Sequence, residues 1–319
     1  MSTHSSVTAF APASVGNVGV GFDVLGHALE GVGDTVTLRR DDRPGIRLEG
    51  VTGRLRELPA DPASNTALRP LLALCDDFSI TDGIAVTVDK GIPLGSGMGG
   101  SAASAVAAVV AANALWQLGL DPERQLVYAA MGETVASGAG HLDNLAPSLF
   151  GGLVLCEAGD PPAVTRLPVP ADLRCVLVHP ELRVHTRDAR AMLEDSVPLS
   201  VHVQHAQHLA GFVAGCLRGD TDQIARCLRD VVIEPQRCGL IPGFKAVQAA
   251  AMGAGALGAS ISGSGPSVFA WCRQSLASAV AEAMVGAFAD NDMATEHWVS
   301  TIDAPGARLV APTTDAVSV

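Results

Sequence analysis

The stretch GIPLGSGMGGSAASAV, residues 91–106, places Gly91, Gly95, Gly97, Gly99 and Gly100 directly against an uncharged Ala/Val run. A loop that binds an anion needs converging backbone N–H groups and no side chains where the anion lies. Glycine supplies both the clearance and the φ > 0 geometry. A helix beginning at once adds unpaired N–H groups and the positive end of its dipole. Here Gly95, Gly97, Gly99 and Gly100 clear the loop, and Ser101 stands where an N-cap or a metal-facing hydroxyl belongs. Lys90, at the end of the strand-like run before the loop, brings a charge that would help neutralise phosphate. The stretch alone leaves three readings open: a phosphate cradle, a dinucleotide fingerprint, or a turn for close helix packing. Gly95, Gly97 and Gly100 satisfy G-x-G-x-x-G. A dinucleotide unit then needs a second strand ending in an acid about twenty residues on, whereas Asp121 opens another helix. The Walker pattern is absent, since no lysine follows the glycines.

Other groupings carry less. His202, His205 and His208 stand three apart, but without H-E-x-x-H or a carboxylate at matching spacing they make a poor metal site. G-x-S-x-G does not occur, so a hydrolase elbow is not supported. The 319 residues, 48% hydrophobic and 17% charged, suffice for a large core. Lys plus Arg total 21 against 33 Asp plus Glu, a net charge of −12. That disfavours nucleic acid and anionic membrane as partners and leaves room for a small anionic ligand in a local pocket. Seven cysteines without C-x-x-C read as reduced thiols in a cytoplasmic protein, and the N-terminus lacks the basic and apolar regions of a signal peptide. Ser101–Leu120 and Ala246–Trp271 carry no charge but are Ala/Gly/Ser-rich, too weakly apolar for a membrane span.

The elements that must hold the loop follow from periodicity. Strands are expected over 7–12, ended by Pro12, and over 34–40, with a Gly-rich loop between them. Helix 65–78 must take Pro70 near its first turn or kink there, strand 84–90 leads into the glycine loop, and a helix follows from about Ser101 to Gln117. Asp121 and Pro122 start the next helix. Residues 138–152 read as a loop, 153–159 as a strand, and the proline-rich 159–173 as a linker. Beyond it a strand at 174–181, a helix from an N-cap at Thr186, helical character over 198–233 and helix 243–257 are expected. Strand 267–272, helix 276–289 and strands at 294–300 and 307–310 complete the interleaving. The class is therefore mixed α and β in two domains.

Pro93, Gly97, Met98, Gly99, Gly100, Ser101, Ala102 and Ala103 resemble the second motif of the GHMP kinases, P-x-x-x-G-L-G-S-S-A-A. Met98 replaces Leu, and Gly100 replaces the first Ser while keeping its N–H. APASVGNVGVGFDVLGHAL (11–29) resembles the family's N-terminal motif and SISGSGPSVFAW (260–271) its third. The resemblance implies an α+β GHMP kinase fold, with a ribosomal S5 domain 2-like ATP-binding domain over 1–167 and a ferredoxin-like domain over 168–319. It implies ATP and Mg²⁺, with Ser101 and Glu133 as metal ligands. Nucleotide contacts are expected from Asn65, Pro93, Leu94, Gly95, Ser96, Gly97, Met98, Gly99, Gly100, Ser101, Ala102 and Ala103. Asp143 occupies a position where other branches carry a proposed catalytic aspartate.

GNVGVGFDVLG, GHLDNLAPSLFGG, HTRDAR and EPQRCGLIPGF are most similar to the branch that phosphorylates L-homoserine on the route to threonine. A zwitterionic acceptor suits Arg190 and Arg237, whose guanidinium forks hold a carboxylate. Asp23 and Asn17 would accept from the ammonium group. Thr186 lies one helical turn before Arg190 on the same face. By resemblance His141 and Asn144 also line this pocket. The family is often dimeric, so a homodimer is allowed. Another alcohol acceptor, or a ligand-binding protein without turnover, is the alternative.

Overall fold

Strand β1 (Ser6–Gly16) pairs antiparallel with β2 (Leu25–Asp41), and both outrun the expectation from periodicity. This is a computed structural model, and it describes residues 5–137 and 141–311. β1 continues through Pro12 because its register with β2 shifts between Pro12 and Ser14. At such a bulge a missing N–H is tolerated. The loop between the strands shrinks to 17–24. β3 (Ile46–Gly53) leads through helix α1 (Arg69–Phe78) to β4 (Gly83–Lys90), which it joins in parallel. Pro70 sits in α1's first turn, as expected.

Helices α2 (Gly100–Trp116) and α3 (Pro122–Ser137) follow. Ala102, Ala103, Val106, Ala107, Ala111 and Leu115 of α2 are fully buried, so this helix is apolar nearly all round because it is central. No described helix is long and apolar enough to cross a membrane. A further helix, α4 (Leu142–Phe150), stands where a loop was expected. Pro147 hid it, since proline removes the N–H that would bond the carbonyl of Asp143. That carbonyl instead lies against Gly26, where no Cβ intervenes. β5 (Leu153–Glu157) and β6 (Ala163–Leu167) complete this part, and β6 corrects the proline-rich linker to a strand.

The remaining elements are β7 (Leu173–Pro180), α5 (Thr186–Ala191), α6 (Leu199–Arg218), α7 (Thr221–Cys227), α8 (Glu234–Arg237), α9 (Phe244–Gly253), β8 (Gly258–Ile261), β9 (Val268–Arg273), α10 (Ala277–Ala289), β10 (Thr295–Thr301) and β11 (Arg308–Val310). The second sheet runs β10-β7-β9-β8, every neighbour antiparallel. Its helical crossovers give the ferredoxin-like connectivity. One face packs Val176, Val178 and Val268 against Phe244 and Phe288. The other brings Leu177, Phe269 and Trp271 into one core with the first sheet and α2. β11 returns to the first sheet and pairs with β1. The edge of the shared core therefore lies along the three Gly-rich loops.

Candidate active site

The glycine loop is held by its carbonyls. Gly95 O accepts from Val184 N–H and Ser96 O from Ser267 N–H, each at 3.1 Å. Gly97 O accepts from the Ser262 hydroxyl at 2.7 Å, and Met98 O from Ser14 N–H at 3.1 Å. Four consecutive C=O groups are thus turned into the protein. Gly95, Gly97 and Gly99 take φ of 63°, 76° and 68°, the left-handed region that glycine enters without steric penalty. Alternating handedness of this kind gathers N–H groups on the opposite side, an anion nest. The first N–H groups of α2 have no intrahelical partner and add to it. Met98 is fully buried, so it fills the Leu position of the motif by packing alone.

Details of the loop differ from expectation. The residue preceding α2's first turn is Gly99, and Ser101 is the second helical residue. The Ala103 N–H already donates to Gly99 O at 2.9 Å, and the side chains of Ala102 and Ala103 face the core. Gly100 has an ordinary helical backbone. A Cβ there would stand 3.3 Å from Ile92 Cγ2 and 3.6 Å from Lys90 Nζ. Pro93 flanks the loop, while Leu94 is 49% exposed on its outer rim.

Lys90 does not face the loop's anion side. It is 5% exposed, and its ammonium pairs with Asp34 while donating to Gly100 O and to Ser104 Oγ, each at 2.8 Å. An ammonium has three donors, and all three are engaged. Asp34 is fully buried. Its Oδ1 accepts from Gly91 N–H and Ile92 N–H at 3.1 and 3.2 Å, and its Oδ2 from Ser104 at 2.7 Å. The pair ties both ends of the glycine loop to β2. Sequence reading missed Asp34 because it closes no motif; a buried lysine in a strand was its one signal.

Ser101 and Glu133 come together as expected. The hydroxyl donates to Glu133 Oε2 at 2.6 Å beside the start of α2. Two hard oxygen donors suit Mg²⁺, which takes one or two protein oxygens and fills its shell with phosphate and water. Asn65 is a different matter. It is 1% exposed, its Nδ2 donates to Pro59 O at 2.7 Å, and its Oδ1 accepts from Ala67 N–H at 2.9 Å. Its side chain braces the approach to α1 through these bonds.

On the acceptor side, Arg190 Nη2 donates to both oxygens of Asp23, at 2.8 and 2.9 Å. Arg237 is 3% exposed and donates to Ala189 O and Gly263 O at 3.0 and 3.3 Å. The ring of Phe22 lies between the two guanidiniums, 5.1 Å from Arg190 and 5.2 Å from Arg237. Phe22 escaped sequence reading because an aromatic residue beside glycines carries no charge signal. Asp23 answers the charge of Arg190, while Arg190 Nε–H is buried with no hydrogen-bond partner among the described residues. A buried donor left unsatisfied needs a partner, and an anionic ligand beside Arg190 would be one. Burial, then the charge of Arg190, holds the Arg237 pKa below its ordinary value and likewise that of His141.

Asn17 is engaged at both ends. Its Nδ2 donates to Gly263 O at 2.8 Å and its Oδ1 accepts from Asp23 N–H at 3.1 Å. It joins the first and third Gly-rich loops. Asn17 and Asp23 both take positive φ, 68° and 61°. Asp143 Oδ2 accepts from Asn17 N–H at 3.1 Å. Burial first, then the charge of Asp23, pushes the Asp143 carboxyl up to about 7. Asn144 accepts from Ser14 Oγ at 2.9 Å. Thr186 opens α5 after His185, which holds the N-cap position assigned to Thr186, and its hydroxyl lies 3.3 Å from Ser264 Oγ.

The family model for the GHMP kinases N terminal domain matches residues 65–152, and that for the GHMP kinases C terminal matches 212–290. A homoserine kinase of Xylella fastidiosa (strain 9a5c) is 49% identical over 303 residues, 95% of this chain and 93% of the relative. A homoserine kinase of Chlorobaculum tepidum is 42% identical, covering 97% and 99%. The crystal structure of homoserine kinase from Cytophaga hutchinsonii superposes with a TM-score of 0.93 at 43% identity, covering 97% and 99%. Mevalonate kinase of L. major, at 16% identity and a TM-score of 0.67, shares the fold.

Proposed function

This chain belongs to the GHMP kinase family, and from that premise we propose that it transfers the γ-phosphoryl group of ATP to the side-chain hydroxyl of L-homoserine. The product is O-phospho-L-homoserine, an intermediate on the route to threonine. One observation supports this reading most: four tied carbonyls and a helix start make an anion nest next to a paired-arginine pocket.

Phosphoryl transfer is chiefly positioning and charge stabilisation. The N–H groups of 95–102 hold the donor's phosphates. Ser101 and Glu133 are the oxygens that would hold Mg²⁺, which supplies charge neutralisation across the phosphates. Arg190 and Arg237 take the acceptor carboxylate, and Asp23, kept in place by Arg190, accepts from the ammonium group. Thr186 and His141 close the pocket. Asp143 and Asn144 act as positioning residues, fixing Asn17 and Ser14 beneath the glycine loop. In this reading the acceptor hydroxyl attacks directly, without a dedicated base, and Asp143 keeps to its positioning role. The division at 167/168 leaves the glycine loop in the first part, while the acceptor pocket draws Asp23 and His141 from the first and Thr186, Arg190 and Arg237 from the second, with 308–310 returning to the first. Unpaired thiols at Cys75, Cys156, Cys175, Cys216, Cys227, Cys238 and Cys272 support a cytoplasmic setting.

Coupled ADP release, measured with purified protein and Mg-ATP against homoserine, mevalonate and galactose, tests the assignment. Homoserine-dependent turnover is expected. Turnover with another alcohol only would overturn the acceptor, and ATP binding without turnover would overturn the activity.

A further inference from the structure

Phe22 and Asp23 are neighbours in the loop 17–24. The loop is tightly turned: Gly21 N–H donates to Asn17 O at 2.8 Å, and Val24 N–H to Gly21 O at 2.9 Å. Asn17, Val18 and Asp23 stand at φ of 68°, 44° and 61°, a region costly for a β-branched valine. Such strain persists only where the surroundings over-determine it, and it gathers at ligand sites. The turn delivers both side chains of the dipeptide to the arginine pair. Asp23 accepts twice from Arg190, at 2.8 and 2.9 Å. The half-buried ring of Phe22 meets both cations, with Arg190 Cζ 5.1 Å and Arg237 Cζ 5.2 Å from its centroid. Arg237 is also tied to α5, its Nε donating to Ala189 O at 3.0 Å.

Two guanidiniums against one ring repel each other. Burial, then the charge of Arg190, lowers the Arg237 pKa. Asp23 pairs with Arg190, whereas Arg237 donates to the carbonyls of Ala189 and Gly263 and has no ion pair among the described residues. A second carboxylate here would neutralise Arg237 and consume the N–H groups that a ligand needs. An aromatic face presents negative π density to a cation without taking a hydrogen bond from it. Arg190 keeps its buried Nε–H unpartnered among the described residues. We propose that Phe22 is a positioning residue for the acceptor carboxylate: its ring holds Arg190 and Arg237 at a fixed spacing without spending an N–H of either. The pocket is then pre-organised for an α-carboxylate, which lowers the cost of binding one. This role rests on the homoserine assignment made above.

Ring fluorination tests this, because it withdraws the π density and leaves the shape of the ring nearly unchanged. Phenylalanine at position 22 is replaced by 3,5-difluorophenylalanine and then by pentafluorophenylalanine, with circular dichroism confirming that each protein is folded. The homoserine KM should rise stepwise, by about tenfold with five fluorines, as two ring–cation contacts are lost. Phe22→Leu should raise it by about as much. The KM for ATP and kcat should stay within about twofold of wild type, since the lost contacts serve acceptor binding alone. A ring that only lined the pocket with apolar surface would keep or lower the homoserine KM on fluorination, and that result would overturn the inference. So would an equal rise in the KM for ATP, the sign of a disturbed loop. Pentafluorophenylalanine at Phe78, a partly exposed ring at the end of α1 that stacks on Tyr128, should leave the homoserine KM unchanged, and an equal rise there would also count against the role of Phe22. Wild-type turnover of homoserine with an unmoved KM in the fluorinated proteins removes this inference alone. Absence of homoserine turnover in wild type removes the acceptor assignment and this inference with it.

Discussion

Lys90 shows how burial decides the role of a charge. Its ammonium is enclosed with Asp34 and Ser104 beneath the glycine loop. Replacing Lys90 by Met leaves a buried carboxylate without its partner, and such a loss costs about 3–5 kcal/mol. Thermal unfolding should show that loss of stability, whereas a phosphate-contacting lysine would change the KM for ATP in a protein as stable as wild type. Ser101→Ala and Glu133→Gln are expected to act differently, lowering kcat/KM by about tenfold or more, since a removed charge-bearing contact to a phosphate site is worth roughly 1.5–3 kcal/mol. Their dependence on Mg²⁺ concentration, titrated at fixed ATP, should shift upward with stability unchanged. Arg190→Ala removes both the unpaired Nε donor and the clamp on Asp23. The homoserine KM should rise about tenfold or more, with a smaller change in the KM for ATP. Equal effects on both substrates would contradict the carboxylate role.

At the scale of the element, two adjacent glycines separate conformational need from mere size. Gly99 lies at φ 68°, and a Cβ there would collide with Ser14 Oγ. Gly99→Ala therefore strains the backbone and disturbs the loop, with a stability loss of about 1–3 kcal/mol and a fall in ATP turnover. Gly100 is helical, so its departure from the family's serine is tolerable in both directions. Gly100→Ser keeps the N–H and presses only lightly on Ile92. Its kcat/KM should stay within about threefold of wild type, less than the strain penalty expected at position 99. Steady-state kinetics and melting curves on the two variants distinguish the roles. The elements themselves were unequally legible. The Ala/Val run of α2 and the Asp-Pro start of α3 announced themselves, because helix propensity and capping agree there. α4 did not, because Pro147 reads as a breaker, and β6 did not, because its prolines flank rather than interrupt it.

For the molecule as a whole, the two sheets are joined through a histidine. His27 on β2 is fully buried. Its Nδ1 lies 2.9 Å from Ala28 O, a carbonyl that only accepts, and its Nε2 accepts from the Trp271 indole at 3.2 Å. The second contact requires the neutral ring, because a protonated Nε2 cannot accept. Burial lowers its pKa to about 4, against a slight opposing effect of the Ala28 carbonyl. Between about 4 and 6.5 the unfolded chain takes up a proton that the folded protein refuses. Stability from this site is therefore full above about 6.5 and is lost as pH falls toward 4. The loss is on the order of 3 kcal/mol at about 1.4 kcal/mol per pKa unit. The stability advantage of wild type over His27→Gln, measured by chemical denaturation, should shrink through that window. A constant difference from pH 7 to 4 would show that His27 does not link the sheets in its neutral form.

The sequence by itself determined the chemistry of the loops. Glycine at alternate positions and a hydroxyl on the following helix are local properties that pointed to Ser101, and the family resemblance added Glu133, Arg190 and Arg237. Only the tertiary structure decided which polar groups stay available. Lys90 has the right type and position in the chain, yet its donors are taken up by Asp34, Gly100 and Ser104, and the amides of Asn65 and Asn17 donate to Pro59 and Gly263. Hydrogen-bond partners distant in sequence, such as Asn17 and Gly263, leave no local pattern. The same holds for Phe22, whose place between two guanidiniums exists only once α5 and α8 have packed against the first loop.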